Sequence, residues 1–483
     1  MAKSIKTNLV YNIINIVNGL LFPLITFPYI TRVIMAEGIG QVNFFGSIIN
    51  YIALFSSLGI PMYGIREIAR VRDSKVELTK TTLEILSLNL LFNLFGYIVV
   101  LILCSTVSEI QVNIPLFLLL STTIIMTTLG CSWFYSGIEE FKYITIQGLI
   151  VSVISIAFLF IFVRSEEDLM WYGLYTVLGS SCRYLVNFFW LGHHVDFRIV
   201  KIKQLSPFRH LKGVLQVFVF NLMTSIYLNL DSVMLGFLSN VTAVGYYAAA
   251  TKVSHIFVLA ISSLGNVLLP RTSNLLKNNK LEEFQHLTQK AMAMVEFICF
   301  PVFIGVVVMA SILVHIFGGN TFEPSILTLQ LVAPTIVAIS LSQITGIQIL
   351  YPIGRINVVT MSTFIGAVVN LLLNFFLIPR FSQYGAAIAT SAAEISVLLT
   401  QFVFIGRYIN FKILDANIFK YIFASLLMGG VCYLITMGTL SELMLLFIIP
   451  VIGGLVYISI LILMKDRLSK ELVEMARNKL FRK

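Results

Sequence analysis

Charge is what this chain has least of. Only 12% of its 483 residues are Asp, Glu, Lys or Arg, against 58% hydrophobic residues and a mean hydropathy of +0.92. That balance is too apolar for a water-soluble protein of this length to hide in one core. Cysteine is scarce as well. Cys104, Cys131, Cys182, Cys299 and Cys432 are odd in number, form no CxxC pair and all fall within or at the ends of apolar stretches, so neither a disulfide framework nor a zinc site is implied. The chain has no Walker loop, HExxH, GxSxG or Asp-x-Asp pair. Their absence argues against ATP as a direct energy source, against hydrolase and metal–nucleotide chemistry, and for no resident cofactor or metal. His193 and His194 form no metal constellation with neighbouring ligands and read as a solvated interface.

What the chain does have is a succession of apolar runs, each about twenty residues long. Crossing about 30 Å of hydrocarbon at 1.5 Å per residue needs that length of helix. The expected spans are 8–34, 40–63, 80–106, 113–136, 143–163, 169–191, 212–237, 246–269, 290–316, 325–350, 355–378, 384–406, 418–438 and 441–464. The predicted fold class is thus an all-α polytopic membrane protein. The runs are continuous and lack period-two alternation, which excludes a barrel. The first run is too long for a signal h-region and no A-x-A-like site follows it. The longest loops, around 192–211 and 270–289, are too short for a soluble catalytic module. Function must therefore lie between the helices, and a transporter is expected in preference to an enzyme.

The 33 basic residues choose an orientation. All of them except Arg32, Arg164, Arg380, Arg183 and Lys252 fall on the side of the spans that holds both termini. Retention of Lys and Arg in the cytoplasm then places both termini inside. The net charge of +10 follows from that topology and from anionic headgroups of membrane lipids, and is no evidence for nucleic acid. Trp133, Trp171 and Trp190 fall near span ends, as interfacial anchors do.

Ser56-Ser57-Leu58-Gly59 near the end of the second span recurs as Ser262-Ser263-Leu264-Gly265 near the end of the eighth, and at the same offset Asn15 meets Asn221. A weak repeat of six spans per half follows, with its halves parallel and substrate between them. The expected division is 1–205 as an N-terminal lobe, 206–412 as a C-terminal lobe, and 413–483 as two further spans with a basic cytoplasmic tail.

The run PLITFPYITR at Pro23–Arg32, Gly38-Ile39-Gly40, Leu58-Gly59-Ile60-Pro61 and YGIREIAR at Tyr63–Arg70 resemble the opening of the Wzx-type bacterial polysaccharide transporters, the O-antigen and capsule-unit flippases of the multidrug/oligosaccharidyl-lipid/polysaccharide superfamily. LDSVMLG at Leu230–Gly236 and VGYYAAATK at Val244–Lys252 look like that family's seventh-to-eighth helix hairpin. Ile378-Pro379-Arg380 with YGAAIAT at Tyr384–Thr390 looks like its eleventh-to-twelfth turn. The resemblance covers nearly the whole chain. It implies two six-helix lobes in a MATE-like arrangement around a cavity, in the bacterial cytoplasmic (inner) membrane. It also implies movement of undecaprenyl-diphosphate-linked oligosaccharide from the inner to the outer leaflet. Polysaccharide polymerase and assembly proteins are the expected protein partners.

Polar residues inside the spans nominate the cavity, since a charge there costs at least about 2.5–3.5 kcal/mol and faces water or a partner. Lys252, His255, Ser262 and Asn266 share one stripe of the eighth helix. Asn221, Thr224, Ser225, Asp231 and Ser232 do so in the seventh, Asn8, Asn12, Asn15 and Thr26 in the first, and Thr363, Asn370 and Asn374 in the eleventh. The alternative for each is interhelical hydrogen bonding in a packed bundle. Arg183 suits a diphosphate, or else a partner carboxylate. Glu394 in the twelfth span suits a coupling proton or sodium ion, or else a structural hydrogen bond. Arg66 and Glu67 are gate candidates that also read as a surface ion pair, and Pro23 and Pro28 are expected to bend the first helix. Asp231 and Lys252 lie at similar depth on consecutive helices and are expected to pair. Glu84, Glu296 and His315, nearer span ends, read as structural. A drug/cation antiporter of the same superfamily remains an alternative, though Arg183 and Lys252 suit an anion better. A membrane glycosyltransferase or polymerase is a further one, disfavoured by the short external loops.

Overall fold

The computed structural model describes residues 5–196, 198–266, 268–408 and 416–471, with the side chains of 5–21, 202, 219–228, 263–266, 270, 407–408 and 416 left aside. In hydrocarbon every backbone N–H and C=O must find its partner within the protein, and continuous apolar runs do this as helices. The described residues are accordingly all-helical, without strands. Among the described residues eleven stretches are long and apolar enough to cross a membrane, and one of them, Phe22–Val71, has 50 residues, about twice the length that one crossing needs. Every one of the fourteen expected spans falls on helix. Packing divides the chain into two compact units, Met1–Gly245 and Tyr246–Lys483. That boundary lies beyond the expected lobe limit at 205/206, because the helix after the linker packs with the first unit.

The first unit contains α1 (Ile5–Ser57), α2 (Ile60–Val71), α3 (Lys75–Thr106), α4 (Ser108–Gln111), α5 (Ile114–Leu129), α6 (Ser132–Gly137), α7 (Phe141–Phe162), α8 (Leu169–Leu191), α9 (Leu211–Leu238) and the start of α10 (Val241–Asn266). Helical geometry in α1 continues through Pro23 and Pro28 and breaks instead at Met35, at φ 58° and ψ −179°. Pro23 and Pro28, expected to bend this helix, both lie inside it. Positive φ with extended ψ is a region that residues with a Cβ rarely adopt, at a cost of about 1–3 kcal/mol. α1 packs on α3, α5, α7 and α9, and α5 on α8. Near the basic ends of the helices Ile60, Tyr63, Ile68, Ile85, Trp133, Phe134, Tyr135 and Val214 form one buried cluster. Small residues let α9 come close: Gly236 leaves room for the Phe44 ring and Gly213 for Tyr63.

The second unit continues α10 and adds α11 (Leu269–Lys277), α12 (Leu281–Val308), α13 (Ala310–Gly318), α14 (Pro324–Val332), α15 (Pro334–Gln343), a π-helical turn at Ile344–Leu350, α16 (Ile356–Phe381), α17 (Gln383–Tyr408), α18 (Ala416–Thr436) and α19 (Glu442–Leu463). α16 and α17 form its most extensive pair, and α12 packs on α15 and α18. The π turn is tied by a buried trio in which Thr345 bonds Gln401, and Gln401 Nε2 donates to Ser362 Oγ at 3.2 Å. The proposed repeat has a structural echo. α1 is followed by the short α2, and α10 by the short α11, each with a proline in its first turn.

Candidate functional site

On a membrane helix, an accessible apolar side chain faces lipid, whereas an accessible charged one at depth faces water. That contrast locates the polar surface of each unit. In the first unit α8 exposes Ser180 and Arg183 one turn apart, with Thr176 half-buried a turn before them. Arg183 lies over the Tyr184 ring, 5.0 Å from its centroid, with Nη2 3.2 Å from the Tyr184 hydroxyl. Its own backbone carbonyl accepts from Gln147 Nε2 of α7 at 2.6 Å. The helix is thus pinned by its backbone while the guanidinium stays accessible.

A second polar seam runs between α1 and α9. Asn50 Nδ2 donates to Asn229 Oδ1 at 3.4 Å, and Asp231, two residues on, is buried within electrostatic reach of Tyr51. Asp231 is therefore a seam residue and not an open cavity surface. Asn221, like Asn8, Asn12 and Asn15, lies outside the described side chains.

In the second unit Lys252 and His255 are both exposed on α10, three residues apart. Their neighbour Ser254 turns inward, 3.4 Å from Thr335. The expected pairing of Asp231 with Lys252 would run from one unit to the other and remains an expectation. Asn370 and Asn374 are corrected: both are buried, and Asn374 Nδ2 donates to Asn370 Oδ1 at 3.1 Å along α16. They share the spacing of a water-facing stripe, but the face they occupy is packed. Glu394 is buried in α17, as is Glu296 in α12. Arg66 and Glu67 form a 3.0 Å ion pair that Arg70 joins at 3.2 Å, all within α2. The gate candidates thus satisfy one another locally. Among the described residues no group of His, Cys, Asp and Glu is arranged to hold a metal ion.

The second unit also holds a cavity of about 450 Å³ that sequence reasoning missed. Phe257, Phe297, Pro301, Leu313, Met428 and Tyr457 line it, from α10, α12, α13, α18 and α19. Its walls are almost wholly apolar, which suits a hydrocarbon chain. No periodicity in one helix could show it, because five helices contribute.

The family model described as polysaccharide biosynthesis protein matches residues 5–276, more than half of the chain. The chain belongs to that family. This polysaccharide biosynthesis protein is also similar to a putative O-antigen transporter of Escherichia coli (strain K12), with 23% identity over 402 residues that cover 83% of this chain and 97% of the relative. It is similar to a probable low-salt glycan biosynthesis flippase of Haloferax volcanii, with 25% identity covering 48% and 50% of the two chains. Among solved structures, lipid II flippase MurJ in an inward closed conformation shares its fold at a TM-score of 0.77 and 17% identity, covering 95% of this chain and 99% of that one. A multidrug resistance MATE family transporter in an inward-facing conformation matches at a TM-score of 0.62 and 14% identity, covering 82% and 94%. The fold of this family member is therefore MATE-like, as the motifs implied.

Proposed function

We propose that the chain is a flippase that moves undecaprenyl-diphosphate-linked oligosaccharide repeat units from the cytoplasmic to the outer leaflet of the bacterial inner membrane, for O-antigen or capsule synthesis. The observation that carries this reading is the pair of accessible cations on membrane helices, Arg183 on α8 and Lys252 on α10. A diphosphate headgroup is the anion that such cations suit in a polysaccharide-synthesis protein, and Arg183 can meet it with a planar fork of donors. The apolar cavity of the second unit supports the same reading, since its walls suit an isoprenoid chain. Both termini lie in the cytoplasm. Glu394 is the residue through which a proton or sodium gradient drives the cycle, because a buried carboxylate changes charge as its surroundings change.

Reconstitution tests the proposal directly. Proteoliposomes carrying a fluorescent polyprenyl-diphosphate oligosaccharide are probed with a glycosidase that acts only on the outer leaflet. The protein should speed transfer between leaflets, and Arg183→Ala should slow it. No acceleration by well-folded protein, together with uptake of a cationic drug, would replace the flippase with an antiporter.

A further inference from the structure

Glu84 is completely buried at the basic end of α3, and the groups that satisfy it come from Ser206–His210 in the linker between α8 and α9. Its Oε1 accepts the Ser206 backbone N–H at 2.8 Å. Its Oε2 takes Arg209 Nη2 at 2.7 Å and His210 Nε2 at 3.0 Å. The other nitrogen of the His210 ring, Nδ1, stands 2.8 Å from the Tyr63 hydroxyl of α2. With its proton on Nε2 the neutral ring donates to the carboxylate and accepts the Tyr63 O–H on Nδ1; with the proton on Nδ1 it donates to Tyr63 and accepts the Arg209 Nε–H on Nε2. A buried carboxylate and a buried imidazole thus fasten three segments, and α9 begins at the next residue. From there α9 runs along α1, carrying Asn229 and Asp231.

We propose that Glu84 and His210 are positioning residues for transport: neutral His210 clasps the linker against α2 and α3 and fixes the base of α9, and a proton on His210 releases it. The groups facing the ring are Glu84 of α3, Arg209 of the linker and Glu67 of α2, with Arg66 and Arg70 of α2 around Tyr63. A proton on the ring would set a buried cation beside the exposed guanidinium of Arg209, whose Nε is 3.2 Å from Nε2, and both would compete for one carboxylate. Burial pushes the imidazole below its usual range; the hydrogen bond to Glu84 opposes this and the Arg209 charge adds to it. A released linker takes up the proton near pH 6.5, about the ordinary value, and the clasped one only at lower pH. The clasp is therefore at full strength above that value and weakens as pH falls through the window beneath it.

The role in transport rests on the flippase reading, but the clasp itself does not, and the test separates them. Full-length protein free of its native cysteines is placed in nanodiscs with either Val200→Cys, buried in the linker, or Lys201→Cys, exposed beside it. The ratio of their maleimide labelling rates cancels the chemistry of the thiol. From about pH 7.5 to about pH 5.5 that ratio should rise about fivefold or more, the span over which an imidazole changes charge. His210→Gln keeps a neutral hydrogen-bonding side chain and should hold the ratio low throughout, while Glu84→Gln should hold it high throughout. If Glu84→Gln does not accumulate, Ser206→Pro, which removes the donated N–H and also draws φ away from the −128° that Ser206 adopts, carries the same expectation. A flat ratio in the parent, or an undiminished rise in His210→Gln, overturns the clasp. Transport in proteoliposomes is then compared: slowed transport by Glu84→Gln supports the positioning role, and full transport by an open-linker variant overturns it. No transport by the parent counts against the flippase reading and leaves the labelling result standing.

Discussion

Gly59 occupies the turn between α1 and α2, where α9 passes against it. A Cβ built there stands 2.6 Å from Val217 Cβ and 2.7 Å from the Phe218 backbone nitrogen, and meets the Val214 carbonyl oxygen as well. Carbon atoms rest about 3.5–4.0 Å apart, so Gly59→Ala must move α9 away by about 1 Å. Two of the three obstructing atoms belong to backbone and cannot rotate aside. Overpacking of this kind costs about 1–3 kcal/mol. The same shift would break the Asn50–Asn229 hydrogen bond, which is already 3.4 Å long. Gly46 is the matched control, because it lies inside α1 and a Cβ there meets nothing within 4 Å. Gly46→Ala should gain about 0.5–1 kcal/mol from lost backbone freedom in the unfolded chain. Titration of purified protein with SDS in mixed micelles, followed by tryptophan fluorescence, should therefore separate the two variants by about 2–4 kcal/mol. Transport should fall in Gly59→Ala alone. Equal unfolding midpoints for the two variants would refute the close approach of α9 to this turn.

Arg183→Ala should reduce surface polysaccharide severalfold at unchanged protein level, and Arg183→Lys should keep more of it, because a diphosphate still meets a point charge; normal export by the alanine variant removes Arg183 from the site. With both termini cytoplasmic, a membrane-impermeant maleimide should label Asn240→Cys and spare Lys277→Cys in intact cells, and labelling at 277 would invert the topology. Asn374→Ala should cost about 1–3 kcal/mol of stability through its buried partner and leave substrate affinity unchanged; lost affinity at full stability would return Asn374 to a cavity wall. Glu394→Gln should abolish the dependence of transport on the ion gradient, and a variant as gradient-dependent as the parent would end its candidacy.

The spans were legible because lipid permits only one answer: twenty apolar residues in a row must be helix. The cavity was legible only in part, because periodicity states which residues share a face and not what lies opposite. Lys252 and His255 share a face that is open, whereas Asn370 and Asn374 share one that is closed. Helix breaking was legible only in part as well. Pro23 and Pro28 draw the eye along α1, yet the residue with non-helical dihedrals is Met35, which has no turn signature. The Glu84–His210 contact spans 126 residues, and nothing local to either side chain announces it.

The two basic residues within spans, Arg183 and Lys252, are informative because neither fits the topological rule that explains the rest. A structural role would call for a carboxylate close by, as the buried Glu84 provides for the exposed Arg209. Arg183 instead rests on a neutral tyrosine ring and stays accessible, at a cost of about 2.5–3.5 kcal/mol for a charge at that depth in lipid. Such a cost is avoided when the side chain faces water, and a hydrated cation inside a membrane is then available to an anion that enters. The cavity of the second unit offers almost no polar surface. A lipid-linked glycan is the ligand class that needs both environments at once, since its diphosphate and sugars require water and cations while its isoprenoid tail requires hydrocarbon. A small cationic drug needs neither an accessible arginine nor a separate hydrocarbon slot. The second unit by itself carries both kinds of surface, the accessible Lys252 and His255 of α10 and the apolar cavity that Phe257 of the same helix lines, and that combination suits the amphipathic anionic substrate proposed above better than a cationic one.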